Sequence, residues 1–132
     1  MRKRVSHGLI LAALVIGVSA ASAAPEGENR FLTGVNIAGA EFNGKKLPGV
    51  ANQDYFYPKP ETIDHFAAEG MNVIRVPFRW ERIQPSLNGE LDPAEYRRLA
   101  DTVHRATAKK LYVILDVHNY AAYRDMPIGS PG

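Results

Sequence analysis

The sequence predicts an α/β fold with parallel strands, and three observations predict it. Apolar runs rich in Val, Ile and Leu occur at Phe31–Gly39, Asn72–Phe78 and Leu111–Val117, with the near-continuous hydrophobicity of strands covered on both faces. Two stretches of helical periodicity separate them, so the order is strand, helix, strand, helix, strand. The strand starts lie roughly 40 residues apart, a rhythm that suits a (β/α)8 barrel with elaborated loops. A doubly wound sheet shares this order, but no Gly-x-Gly-x-x-Gly turn follows the first strand. A barrel of this type needs about 250 residues. Three strands cannot close one, and no fourth strand precedes the end at "PIGSPG". The chain therefore reads as the N-terminal portion, about three βα units, of a (β/α)8 TIM barrel.

Residues 1–23 are expected to be a secretory signal peptide. Arg2, Lys3 and Arg4 supply a positive start, Gly8–Val18 an apolar run, and Ala21–Ala23 a small-residue cleavage site. The apolar run falls short of the about 20 residues a transmembrane helix needs. Residues 24–132 are then the incomplete barrel domain. The first strand runs into a loop rich in Gly, Pro and Tyr from Ala40 to Pro58. Pro60 suits a first helical turn, Ile63, Phe66 and Ala67 form an apolar stripe, and Gly70 suits the helix end. Asn88-Gly89 marks a turn after the second strand. The second helix has Asp92 as N-cap, Pro93 at the first position and Glu95 placed for a capping box. Tyr96, Leu99, Ala100 and Val103 are its expected apolar face, and Lys109 and Lys110 close it where the dipole favours cations.

Charge and composition exclude several classes. Three of the 16 basic residues lie in the leader, leaving 13 against 14 acidic ones and a net charge of −1. No basic stripe remains for nucleic acid, and no membrane association is expected after leader cleavage. The absence of cysteine removes disulfides and thiolate metal sites, so a secreted chain depends on its apolar core. No cofactor is expected, since there is no phosphate-cradling loop, and no Gly-x-Ser-x-Gly elbow stands here either. Asp116 and His118 offer two same-face metal ligands without an evident third, so no metal is expected.

In parallel α/β folds ligands bind at the C-terminal strand ends. The chemistry-bearing side chains gather there: Asn36 and Glu41 after the first strand, Arg75, Phe78 and Trp80 around the second, His118, Asn119 and Tyr120 after the third. Arg75 inside a strand reads either as a structural ion pair or as an arginine that orients a carboxylate. His118 is either a packed histidine or a site group oriented by Asp116. Trp80 and Tyr120 serve as packing or as stacking surfaces for a sugar face. Glu81 is expected to pair with Arg79 or Arg82, and His65 and His104 to be solvated or packed on helices.

"GVNIAGAEF", "FYPKPETIDHFAAEGMNVIRVPFRWERIQP" and "LDVHNYAAYR…IGSPG" together resemble the N-terminal part of glycoside hydrolase family 5, the cellulase A family, and its endoglucanases above all. The resemblance implies a secreted endo-β-1,4-glucanase that cleaves with retention through two glutamates about 5 Å apart. In the family these follow strands four and seven, beyond Gly132, so no residue here is assigned as acid/base or nucleophile, and this stretch alone is expected to be inactive. Arg75 matches the strand-two arginine that hydrogen-bonds the nucleophile, and His118 the histidine lining the cleavage subsite. Asn36, Trp80, Asn119 and Tyr120 fall on the substrate-binding side. Many relatives have glycine where Asn43 stands, and a glycine-rich stretch in place of "AAYRDMP". The implied partner is a β-glucan polysaccharide such as cellulose, and the complete protein is expected to be a monomer. Two other readings stay open: a non-catalytic secreted carbohydrate-binding or vestigial module, and a related barrel glycosidase such as a mannanase or exoglucanase.

Overall fold

The computed structural model describes residues 31–130; the expected leader lies outside the described residues. Three parallel strands, β1 (Gly34–Asn36), β2 (Val73–Phe78) and β3 (Tyr112–Val117), form one sheet in the order β1-β2-β3. Helix α1 (Pro60–Ala68) joins the first two strands. The short α2 (Trp80–Ile83) and the long α3 (Pro93–Ala108) lie between the second and third. A small antiparallel hairpin, β4 (Ala122–Tyr123) and β5 (Met126–Pro127), follows β3. This is the predicted α/β order with parallel strands, consistent with the leading βα units of a (β/α)8 barrel.

Side-chain alternation along β2 divides its two faces. Ile74 and Val76 are fully buried and Phe78 nearly so, in a core with Ile63 of α1, Leu99 and Ala106 of α3, and Leu111. Each such buried aliphatic side chain stabilises the fold by about 1.5–3 kcal/mol relative to an exposed one. The opposite face carries Val73, Arg75 and Pro77, and Arg75 alone in β2 is only half-buried. The strand β3 is the open edge: Tyr112, Ile114, Leu115 and Val117 are each about half exposed, unlike the both-sided cover the sequence implies. The first strand is also shorter than its apolar run, because only Gly34–Asn36 keep the ladder with Val73–Arg75.

Pro60 opens α1 and Gly70, at φ +81°, follows its end, as the sequence predicts. Asp92 caps α3 by accepting hydrogen bonds from the Ala94 and Glu95 amides. The capping box is only half formed. The Asp92 amide donates to Ile83 O, and the Glu95 carboxylate turns inward to accept from Tyr55 Oη at 2.5 Å. The buried stripe of α3 is accordingly Glu95, Leu99, Thr102 and Ala106, while the expected Tyr96 is exposed. Glu95 is buried with hydrogen-bond partners, and Tyr96 faces outward.

The long loop from Ala40 to Pro58 is fixed by Arg82, expected only as a partner for Glu81. Arg82 is buried to 1% exposure and donates to the carbonyls of Ala40, Phe42 and Pro48. Its guanidinium also lies 3.9 Å from the Tyr55 ring centroid. A buried cation is tolerated here because carbonyl dipoles and an aromatic face replace its water.

Candidate active-site rim

The parallel register sets Asn36 beside Arg75 and Pro77 beside Asp116, so Asn36, Arg75 and Asp116 share the face opposite the helices. Arg75 Nη1 donates to Asn36 Oδ1 at 2.5 Å, and Arg75 Nη2 forms an ion pair with Asp116. His118 Nδ1 lies 2.9 Å from Asp116 Oδ2 and 3.4 Å from Arg75 Nη2. The shorter contact assigns the proton: Nδ1–H donates to the carboxylate and so cannot accept from Arg75. In a neutral ring Nε2 is then the acceptor, and it lies 3.2 Å from the Tyr120 hydroxyl. Tyr120 itself is 78% exposed, edge-on to the His118 ring with centroids 4.8 Å apart. Arg75 is thus held from both neighbouring strands and keeps further N–H groups for a ligand.

A second cluster holds the loop that carries Tyr120. Asn119 is buried, and its amide is fully engaged: Oδ1 accepts from the Trp80 amide at 2.8 Å, and Nδ2 donates to Glu81 Oε2 at 2.8 Å and Ala122 O at 3.0 Å. The other Glu81 oxygen accepts from the Arg124 amide at 2.8 Å. The expected pairing of Glu81 with Arg79 or Arg82 is therefore corrected. Arg82 spends its donors on carbonyls, and the buried Glu81 carboxylate serves the loop after β3. Burial pushes the Glu81 carboxyl up, but the Arg124 amide, Asn119, its own amide and the Arg79 charge outweigh it. The net result lies below the usual carboxylate range.

This loop is conformationally strained. Tyr120, Ala121, Arg124 and Asp125 have φ of +49°, +55°, +45° and +64°. Left-handed backbone at a residue with a Cβ costs about 1–2 kcal/mol, so something must hold it. The Asn119–Glu81 contacts do so, and the Arg124-Asp125 pair forms the hairpin turn between β4 and β5. Trp80 packs edge-on against Tyr123, with centroids 5.2 Å apart, and donates from Nε1 to Gln84 at 2.8 Å. Glu41 accepts from the Gly39 amide at 2.7 Å, a local turn contact. His65 and His104 are exposed on their helices, and Phe78 belongs to the core. Among the described residues no three His, Asp or Glu side chains gather as metal ligands. No helix among them is long and apolar enough to cross a membrane.

A parallel βα sheet with polar side chains gathered at its strand ends is consistent with the leading units of a (β/α)8 barrel. The pattern of the cellulases (glycosyl hydrolase family 5) matches residues 35–130, and the chain belongs to that family. It is 34% identical over 122 residues to endo-β-1,4-glucanase B of Emericella nidulans, covering 89% of this chain and 37% of that protein. Among solved structures it resembles an endo-β-1,4-glucanase from Xanthomonas axonopodis pv. citri at 49% identity and a TM-score of 0.71, over 74% of this chain and 31% of that one. A Pseudomonas stutzeri endoglucanase, solved in complex with cellobiose, matches at 42% identity and a TM-score of 0.72, over 75% of this chain and 30% of that one. The chain thus spans about a third of the length of these relatives.

Two departures from the family pattern have a physical reading. Asn43, where the resemblance leads to an expectation of glycine, sits at φ +52°, a conformation asparagine tolerates better than other residues with a side chain. Its Nδ2 also donates to Asp54 O at 2.6 Å. The stretch where the resemblance leads to an expectation of glycines is the one where Ala121, Arg124 and Asp125 adopt left-handed backbone, with Glu81 and Asn119 supplying the restraint.

Proposed function

We propose that this chain is the leading part of a secreted endo-β-1,4-glucanase that cleaves with retention of configuration. In this reading residues 1–23 are its signal peptide, its partner is a β-glucan, and the complete enzyme is a monomer. The observation that carries it is the Arg75 cluster. An arginine fixed by Asn36 and Asp116 on the neighbouring strands presents a preorganised positive charge at the rim where a barrel enzyme works. The acid/base and nucleophile glutamates belong to later strands of the barrel, and Arg75 hydrogen-bonds the nucleophile and keeps it ionised. His118, held in its Nδ1–H form by Asp116, lines the cleaved bond and accepts from Tyr120 through Nε2.

Asn36, Trp80 and Tyr120 meet the sugar, and the exposed Tyr120 ring is the stacking surface. Asn119 contributes to substrate binding through the loop it fixes, since its own amide is already fully bonded. The half-exposed apolar side chains of β3 fit a strand with a further barrel neighbour. The test is kinetic. In the enzyme that carries this segment, Arg75→Ala should lower kcat on a soluble cellulose derivative by on the order of 10²-fold or more, with KM little changed. Near-normal turnover would remove the role assigned to Arg75.

A further inference from the structure

A pocket of about 600 Å³ opens beside the Arg75 cluster, between the loop after β1 and the loop after β3. Tyr120 belongs to both, and the pocket wall carries three cations, Lys45, Arg79 and Arg124. None of the three forms an ion pair with a described carboxylate. Two acids share the wall. Glu81 keeps its charge but has both oxygens engaged, by Asn119 and the Arg124 amide. Asp125 is exposed, so three cations face two acids and the wall carries a net positive charge of one.

The guanidiniums are placed, not loose. Arg79 Nε donates to Glu41 O at 3.3 Å, and its carbon lies 5.7 Å from the Tyr120 ring centroid. A Cβ at Gly44 would stand 2.2 Å from Arg79 Nη2, so the glycine there makes room for the guanidinium. Arg124 Nη2 donates to Pro85 O at 2.6 Å. Each arginine is anchored through one N–H and has others left for a planar, bidentate acceptor.

We propose that this pocket takes a carboxylate-bearing sugar unit of a β-linked glycan, so that the protein favours acidic glucans over neutral ones; this rests on the glucan reading above and names its substrate class. The carboxylate sits between Arg79 and Arg124 with Lys45 adding charge, while the sugar face lies toward Tyr120. Paired cations on one side of an aromatic surface select for an anionic ring over a neutral one of the same shape.

The experiment is affinity electrophoresis of the enzyme that carries this segment against four polymers: hydroxyethylcellulose, carboxymethylcellulose, β-1,4-polyglucuronate and polyphosphate. Hydroxyethylcellulose reports on glucan binding alone. The two carboxylated polymers separate a pendant acid from one on the sugar ring. Affinity for at least one of them should exceed that for hydroxyethylcellulose about tenfold, the worth of one charge-assisted hydrogen bond. The double variant Arg79→Gln/Arg124→Gln should lose that preference and keep its hydroxyethylcellulose binding. In the unaltered chain about 0.5 M sodium chloride should likewise erase the preference, a readout independent of whether the variant folds. Equal binding of neutral and carboxylated polymers overturns the proposal and leaves the glucan reading standing. Polyphosphate bound as tightly as the carboxylated glycans also overturns it, since charge without a sugar would then suffice. Binding to no polymer overturns both.

Discussion

Asn119→Ala isolates the device that holds the rim in shape. The substitution removes three hydrogen bonds, to the Trp80 amide, the Glu81 carboxylate and Ala122 O. Two are neutral, at about 1 kcal/mol each, and the one to a carboxylate contributes about 2 kcal/mol. Water reaches the half-buried Trp80 and Ala122 sides and recovers part of this, so a net loss of about 3 kcal/mol is expected. A domain of this size has a total stability of roughly 5–15 kcal/mol, so the effect is large. Trp80 is the sole tryptophan of the chain and directly contacts Asn119, so its emission during urea unfolding is the assay. The companion variant Asn119→Asp keeps the acceptor for Trp80 but sets a second carboxylate against Glu81. It should be at least as damaging near neutral pH and should recover as the pH falls, because the like-charge pair takes up a proton. A loss under about 1 kcal/mol for Asn119→Ala would mean that these three contacts do not hold the rim, since hydrogen bonds that strong cannot vanish without a larger effect.

Other outcomes follow from the same contacts. The Glu81, Asp54 and Asp64 carboxyls all lie below their ordinary range in the folded chain. Their stabilisation is therefore full above the unfolded carboxylate pKa, about 4, and is lost as pH falls through the lower folded values. The urea midpoint should drop with acid, and Glu81→Gln should flatten that drop; an unchanged slope would contradict the role of Glu81. Arg82→Met strands the carbonyls of Ala40, Phe42 and Pro48 and should destabilise the chain by about 2–4 kcal/mol. Early proteolytic cuts within 40–58 would show it, and an unaltered digestion pattern would count against it.

The fold was legible because its signals are local and mutually consistent. Val and Ile runs made β2 and β3, Pro60 and Gly70 bracketed α1, and Asp92 with Pro93 started α3. The residues that gather at the rim were legible too, because strand ends in a parallel sheet share one side. What the sequence hid was which polar side chains go inside. Glu95 and Glu81 look like surface acids, and their burial depends on Tyr55 and Asn119, partners 40 and 38 residues away. Arg82 is hidden for the same reason, its acceptors being backbone carbonyls that carry no residue signature. The β4–β5 hairpin escaped because its turn is Arg124-Asp125 and not the Asn-Gly that announces such turns.

The central claim is that the Arg75 rim is one wall of a glucanase site whose carboxylates come from later strands. The most direct test is to read the gene beyond the Gly132 codon. The expected result is an open frame that runs into a fourth strand followed by Asn-Glu and later into a strand ending in a second glutamate. A stop codon at that point in the native gene would contradict it, leaving a family member with no residues to cleave a glycosidic bond.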